Sequence, residues 1–238
     1  MIQLTRRGLM VGAGSLVSCA YAGRGRASPP HRLATIGAGE VGRTLGQLWI
    51  KAGFKVMFSA WTLEEAQNVA REIGVDALAG TPEQAALFGD VILLAVPYGA
   101  LPGLGRKLDS VLKGKIVLDA TNPYVWRDGD TAVAAQKNGA GIMTQSYFPH
   151  ARVVRGLNSI NMSSIRTQAH RAPPLLAVPI AGDDPAAVAV VEELVRAAGL
   201  DPVVTGNLAS ATLFQPGHDG FEVEASAREL KADLKLSP

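Results

Sequence analysis

A short apolar run, Leu33-Ala34-Thr35-Ile36, leads straight into Gly37-Ala38-Gly39-Glu40-Val41-Gly42, and a helical pattern from Val41 to Ala52 follows at once. The six residues fit GxGxxG. A strand that turns on glycine into a helix presents free backbone N–H groups and a positive dipole end, which suit a pyrophosphate. In such a turn Gly37 permits the sharp reversal, Gly39 lets a phosphate approach the backbone, and Gly42 lets the helix lie close on the strand. The motif thus predicts a dinucleotide site. Without a ligand, the same residues would still make a structural turn between a strand and a helix.

The residues before this turn read as a leader. Thr5-Arg6-Arg7-Gly8-Leu9-Met10 is a twin-arginine pattern, a mildly apolar Gly-rich stretch runs from Gly8 to Ser18, and Ala20-Tyr21-Ala22 offers a small-x-small cleavage site. That order predicts a Tat signal peptide over residues 1–22, a linker over 23–32, and a periplasmic or extracytoplasmic location. Cys19 is the only cysteine, which excludes an intramolecular disulfide. In Leu16-Val17-Ser18-Cys19 it resembles a lipobox, so two fates stand open: removal with the leader, or lipidation and tethering to a membrane. The chain has 23 Lys+Arg against 21 Asp+Glu; cleavage after Ala22 removes Arg6 and Arg7 and leaves 21 against 21. No nucleic-acid footprint is expected from that balance.

From residue 33 onward, apolar runs alternate with helical patterns. Strands are predicted near 33–37, 55–59, 91–96, 115–119, 151–155, 175–181 and 202–205, and helices near 41–52, 63–73, 82–88, 99–112, 131–138, 159–168, 185–198 and 207–213. Continuous apolar runs such as Val91-Ile92-Leu93-Leu94-Ala95-Val96 suit strands covered on both faces. The fold class is therefore α/β: a doubly wound, mostly parallel Rossmann sheet over 33–217, with a short C-terminal extension. The charged tail, 218–238, reads as a terminal helix or a loose end. Ligands of such sheets lie beyond the carboxyl ends of the strands, which selects the turn at 37–42, Ser59-Ala60-Trp61, Pro97-Tyr98, Asn122-Pro123 and Asn158.

The motifs converge on a family. DVILLAVPYGAL, GKIVLDATNPY, ARVVRGLNS, the segment from Val178 to Val203 and NLASATLFQPG together resemble the NADP oxidoreductases typified by deazaflavin (coenzyme F-420) reductases, often grouped with pyrroline-5-carboxylate reductase N-terminal domains. The resemblance implies NADP(H), or NAD(H), on the Gly-rich turn, and hydride exchange with a second carrier, a flavin or deazaflavin, or with a small acceptor. It implies a cofactor-binding set of Gly37, Ala38, Gly39, Glu40, Val41, Gly42, Ser59, Trp61, Val96, Pro97, Asn122, Pro123 and Asn158. A homodimer is compatible with it. Two non-identical readings remain beside it: a non-catalytic nucleotide-binding or redox-sensing module, and an imine, carbonyl or metal reductase.

Two departures from that family stand out. Ser59-Ala60-Trp61 occupies the place where an NADP user carries Gly-Ser-Arg, and no Asp or Glu ends this strand to hold a 2′-hydroxyl. Ser59 offers a donor; Trp61 offers either a stacking face for adenine or a packing surface for a neighbouring helix. Arg43 is near in sequence. Glu40 suits the helix dipole but would repel a pyrophosphate unless it faces solvent. Metal-binding and nucleophilic motifs are absent from the sequence. Were the substrate a carbonyl or imine, His150 or Tyr147 would be the expected proton donor. Asp119 is expected to cap its loop, and Asp183-Asp184 to cap the helix that follows.

Overall fold

The computed structural model describes residues 32–236. The leader, the cleavage site after Ala22, Cys19 and the linker as far as His31 lie outside the described residues. The strands are β1 (Leu33–Ile36), β2 (Val56–Ser59), β3 (Ala77–Ala79), β4 (Val91–Leu94), β5 (Ile116–Asp119), β6 (Arg152–Gly156), β7 (Ala177–Gly182) and β8 (Asp201–Gly206). They form one sheet in the order β3-β2-β1-β4-β5-β6-β7-β8. All neighbours are parallel except β6 and β7, where Gly156 faces Ile180 in an antiparallel pair. The helices are α1 (Glu40–Lys51), α2 (Leu63–Ile73), α3 (Pro82–Phe88), α4 (Leu101–Leu112), α5 (Val125–Asn138), α6 (Ala140–Tyr147), α7 (Met162–Gln168), α8 (Pro185–Ala197) and α9 (Ala227–Asp233), with 3₁₀ turns at 98–100 and 208–214. The outcome is the expected α/β sheet of the Rossmann type.

The central strands β1 and β4 are apolar and wholly buried because both faces of the sheet are covered there. Alternate residues feed two cores. Leu33, Leu93, Leu118 and Val154 join Leu45 and Trp49 of α1 and Leu194 of α8 on one face. Ala34, Ile92, Val117 and Val153 join Leu101 and Leu108 of α4 on the other. Trp49 Nε1 donates to the Leu194 carbonyl at 2.9 Å, so α1 and α8 are tied across 145 positions of chain. Helix starts follow the caps written in the sequence. Thr62 with Glu65 and Thr81 with Gln84 make capping boxes on α2 and α3. Asp184 accepts from the N–H groups of Ala186 and Ala187, as a cap for α8 should.

Several elements differ from expectation, each for a local reason. β3 is a three-residue edge strand, too short for an apolar pattern to show. α5 begins at Val125 rather than 131, because Gly129, at φ +54°, kinks two helical pieces into one run. α6 carries no clear helical pattern in the sequence, because Ala140, Gly141 and Thr144 make up its buried side. α7 starts at Met162 rather than 159, since Asn161 caps it by accepting from Ser163 N–H. β4 ends at Leu94, and Ala95 to Pro97 leave the sheet as a loop. The tail past residue 217 is built into the fold. The Ala177 amide donates to the Ala225 carbonyl at 2.9 Å, Ser226 and Glu229 form a capping box, and Leu230 and Leu234 pack on Ala177 and Val203.

Replacing Leu230, 1% exposed, with alanine should therefore lower the unfolding free energy by about 2–4 kcal/mol, the range for deleting a buried leucine side chain. Urea unfolding followed by circular dichroism reads this. A midpoint shift below a few tenths of that size would mean that the tail is not part of the cooperative unit.

Candidate functional site

The loops that leave the carboxyl ends of β1, β2, β4, β5 and β6 enclose two adjoining clefts. At the Gly-rich turn, sterics leave little choice of residue. Gly37 sits at φ +105°, and a Cβ there would lie 2.1 Å from the Ala95 carbonyl oxygen; a Cβ on Gly42 would lie 1.9 Å from the Gly37 oxygen. Gly39 differs: a Cβ there would meet nothing within 4 Å. Gly39 is the N-cap of α1 and no side chain caps the helix; α4, α5 and α6 also start without a side-chain cap, but α1 is the one that starts at the Gly-rich turn. The first N–H groups of α1 thus point at open space beside a residue without a side chain. That is the arrangement an anion at a helix N-terminus needs.

The outer cleft, about 640 Å³, runs from this turn to the end of β2. Gly37, Ala38, Arg43, Ser59, Trp61 and Pro97 are among its lining. Two expectations change here. Ser59 is fully buried and its hydroxyl donates to the Thr35 carbonyl at 3.0 Å, so its proton is committed to the sheet. Trp61 is 96% exposed, so it packs against no helix and stands at the cleft lip. Arg43 lines the cleft, and its Nη1 lies 2.8 Å from Glu72 Oε2, an ion pair that offsets its charge.

The inner cleft, about 350 Å³, shares Ala95, Val96 and Pro97 with the outer one and opens toward Asn122, Tyr124, Leu157, Asn158, Ser159 and Glu222. Glu40 and Val41 reach its rim. Glu40 is largely exposed, as expected, and its carboxylate is paired with Arg166 at 3.0 Å; Arg166 also donates to Thr44 Oγ1. Pro123 lies behind the lining, where its carbonyl accepts from Gln136 Nε2. Leu157 and Glu222 hold φ values of +61° and +59°. Such backbone in non-glycine residues costs on the order of 1–3 kcal/mol each and gathers at ligand sites.

Behind this cleft lies a polar network. Asp119 and Arg155 are both fully buried, with Arg155 Nη1 2.6 Å from Asp119 Oδ2. Asp119 also accepts from Thr121 N–H, Thr121 Oγ1 and Thr144 Oγ1, which caps its loop as expected and does more besides. Arg155 Nη2 donates to the Thr121 carbonyl at 2.7 Å and to Asn122 Oδ1 at 3.4 Å. Asn122 Nδ2 donates to the Asn158 carbonyl, and Asn158 Nδ2 donates to Asn122 Oδ1 and to the Phe214 carbonyl. Asn122 and Asn158, chosen from separate motifs, are thus hydrogen-bonded to each other.

The lip next to them is braced by Arg127 and Asp128. Asp128 accepts from Gly99 N–H, Tyr124 N–H and the Arg127 guanidinium, and Arg127 Nη2 also donates to the Asn122 carbonyl. Tyr124 has its phenol pKa raised by burial first and then by the Glu222 carboxylate, so it stays protonated at neutral pH. His150 lies at the other end of the sheet: its carbonyl accepts from Gly114 N–H ahead of β5, and its ring meets Asp109 at 2.6 Å. Tyr147 packs edge-on against Tyr98 and lines neither cleft. Neither expected proton donor reaches the site, and Tyr124 is the phenol that does. Tyr124, Arg127, Leu157, Ser159 and Glu222 escaped the sequence reading; the position of Tyr124 and Arg127 just after Asn122-Pro123 was the available signal.

Residues 32–123 match the family described as NADP oxidoreductase, coenzyme F420-dependent, which is the family the motifs resemble. No curated protein sequence matches the chain. Among solved structures, an uncharacterised protein from Sinorhizobium meliloti is 23% identical with a TM-score of 0.70, covering 82% of this chain and 95% of its own. A protein assigned as an F420-dependent NADP-reductase from Arthrobacter sp. FB24 is 22% identical with a TM-score of 0.66, covering 82% of this chain and 99% of its own. Pyrroline-5-carboxylate reductase from Coxiella burnetii is 17% identical with a TM-score of 0.55, covering 74% of this chain and 59% of its own. These likenesses show the fold: a doubly wound α/β domain of the Rossmann type.

Asp128 gives the site a pH signature. Burial pushes its carboxyl up, but the hydrogen bonds from Arg127, Gly99 and Tyr124 outweigh burial and hold it below the usual carboxylate range. A depressed folded pKa contributes stability above the unfolded value and loses it as pH falls through the folded value. Wild type should therefore exceed Asp128→Asn in stability at neutral pH, and the gap should close below about pH 4. Urea midpoints of both proteins across acid pH measure this; a gap that widens in acid would contradict it.

Proposed function

We propose that this protein is an NAD(P)(H)-dependent oxidoreductase that exchanges hydride between the nicotinamide and a second carrier, a flavin or deazaflavin, or a small acceptor. The observation that carries the reading is the α1 turn, where an uncapped helix start faces open space at Gly39 while Gly37 and Gly42 are sterically obligatory. A dinucleotide fits there. The backbone of Gly37 to Gly39 would hold the pyrophosphate, Val96 and Pro97 would line the passage between the clefts, and Asn122 and Asn158 would flank the inner end. The bound nicotinamide supplies the hydride. The chain's own part is to align and to exclude water, with Leu157, Ile160 and Met162 as the apolar side of the inner cleft. The described similarity to reductases over residues 32–123 supports the same class.

Cofactor preference follows from charge. Arg43 is the cation of the outer cleft, and Glu72 offsets it. We therefore expect NADPH and NADH both to bind, with NADPH moderately favoured. For an imine or carbonyl acceptor, the Tyr124 phenol at the inner cleft would supply the proton. The twin-arginine leader supports export, and the Tat route passes folded proteins, so the nucleotide would travel already bound.

Titration with NADPH and NADH, followed by quenching of tryptophan fluorescence, tests the reading, with turnover on flavins and deazaflavins as its second arm. Binding with turnover is expected. Binding without turnover would favour a redox-sensing module, and no binding of either nucleotide would overturn the proposal. The export arm is mass analysis of protein recovered outside the cytoplasm: a chain beginning at Gly23 is expected, and retention in the cytoplasm with residues 1–22 attached would refute it.

A further inference from the structure

Glu40, Arg127 and Glu222 are the charged residues that line the inner cleft. The first two are neutralised: Arg166 pairs with Glu40, and Asp128 with Arg127. The Glu222 carboxylate has no ion-pair or hydrogen-bond partner among the described residues. The lining therefore carries one uncompensated charge, and it is negative. Glu224, two residues on, differs. It is hydrogen-bonded to Ser164 and Gln168 and lines a neighbouring hollow rather than this cleft.

Glu222 is held in place by its backbone. Its N–H donates to the Ser159 carbonyl at 2.7 Å, and just before it Gly220 N–H donates to the Leu213 carbonyl at 2.9 Å. Its φ of +59° is a conformation that persists in a non-glycine residue only where the surroundings impose it. The carboxylate lies close enough to the Tyr124 phenol to raise its pKa, second to burial as a cause. Glu222 is exposed and Tyr124 half-buried, so both keep surface for a ligand in the cleft that they line. The phenol stays protonated, and the net charge of the pair is that of the carboxylate.

That charge sets the class of acceptor. A flavin nucleotide or a carboxylated substrate would bring an anion against Glu222, whereas an organic cation would be drawn to it. A cation that can take a hydride at carbon is an iminium. Leu157, Ile160, Met162 and Phe221 give its carbon frame an apolar wall. We infer that the hydride acceptor is a small iminium cation without an anionic group, and that Glu222 is the residue that selects it. The inference rests on the oxidoreductase reading above and narrows its acceptor. The iminium carbon takes up the hydride with its electron pair, the C=N π pair moves onto nitrogen, and a neutral amine results. The reduced nicotinamide is the reductant, and no proton is consumed. The attraction to Glu222 fades as the nitrogen is neutralised, so Glu222 acts on substrate capture more than on the transition state.

The probe is an N-methyl dihydroisoquinolinium salt, a permanent iminium; tetralone, with a like bicyclic frame and a neutral C=O, is its control. Calorimetry measures both on protein loaded with NADP⁺, which has no hydride to give. Glu222→Gln removes the charge from an exposed side chain and should not disturb folding. It should weaken the cation about fivefold, the upper scale of an ion pair open to water, and leave tetralone unchanged. Flavin mononucleotide, an anion, should bind the variant at least as well as wild type. Added salt should weaken the cation on wild type more than on the variant. In turnover with NADPH, the substitution should raise KM for the iminium more than it lowers kcat. No binding of the cation by wild type, no loss of it in Glu222→Gln, or an equal loss for cation and tetralone would overturn the inference. A variant that loses NADP⁺ affinity but keeps its affinity for NADPH would assign the charge to the nicotinamide ring, and this also refutes it. Failure of NADP⁺ to bind wild type would instead sink the dinucleotide reading, a separate outcome; the cation titrated onto protein without nucleotide would still judge Glu222.

Discussion

The arrangement of the cleft depends on one ion pair at the centre of the sheet. Asp119 ends β5, Arg155 is in β6, and both are wholly buried at 2.6 Å. Stripping two charges of water is expensive, and a pair of this kind is weak evidence for stability by itself. Loss of one partner is another matter: it strands a buried charge, at about 3–5 kcal/mol. The pair is tolerable because almost every remaining valence is met. Two groups of Thr121 and the Thr144 hydroxyl serve the carboxylate, and the Thr121 carbonyl and Asn122 Oδ1 serve the guanidinium. Arg155 Nε is left over. The net result is less a gain in stability than a fixed direction for the loops after β5 and β6.

That direction matters because the sheet changes sense beside it. Strands up to β6 run parallel, and β7 then runs the other way. β8 pairs parallel with β7, so the chain needs the 3₁₀ turn at 208–214 to come back along the sheet. Phe214 in that turn accepts from Asn158, and Glu222 N–H donates to the Ser159 carbonyl at 2.7 Å. The C-terminal segment thus closes the inner cleft that the first half of the chain opens. A site built from both ends of the sequence becomes rigid only when the whole domain has folded, since its loops are held by contacts of long sequence separation.

Much of this was legible from the residues, and the illegible part shares one cause. The strands of the first half are runs of apolar residues, and the Gly-rich turn is constrained by contacts within a few positions of itself. Those signals are local. Asp184 as a cap for α8 and Thr62 as a cap for α2 are local too. What failed depends on partners far away in sequence. Ser59 looked free to meet a phosphate, but Thr35, 24 residues back, takes its proton. His150 looked close to an active-site loop because β6 follows it, yet it sits at the strand's entry and the site lies at its exit. Arg155 read as part of a motif, while its partner is 36 residues earlier. The tail read as a terminal helix or a loose end because its apolar residues are diluted by an equal number of charged ones, although Leu230 and Leu234 are enough to seat it.

The electrostatics of the two clefts follow from the same economy of charge. Glu40, in the first turn of α1, would oppose an anion at that helix start, but Arg166 of α7 holds it aside and neutralises it. Arg43, one turn further on, is offset by Glu72 of α2. Arg127 is offset by Asp128. Each cation near the clefts is matched, so no surplus side-chain charge is left to draw in a dinucleotide. The attraction for a pyrophosphate must then come from backbone N–H groups and the dipole of α1, worth on the order of 1 kcal/mol for a charge at the helix end. Such groups recognise the phosphates common to all dinucleotides. Discrimination among them falls to the outer cleft, where Arg43 and Trp61 stand.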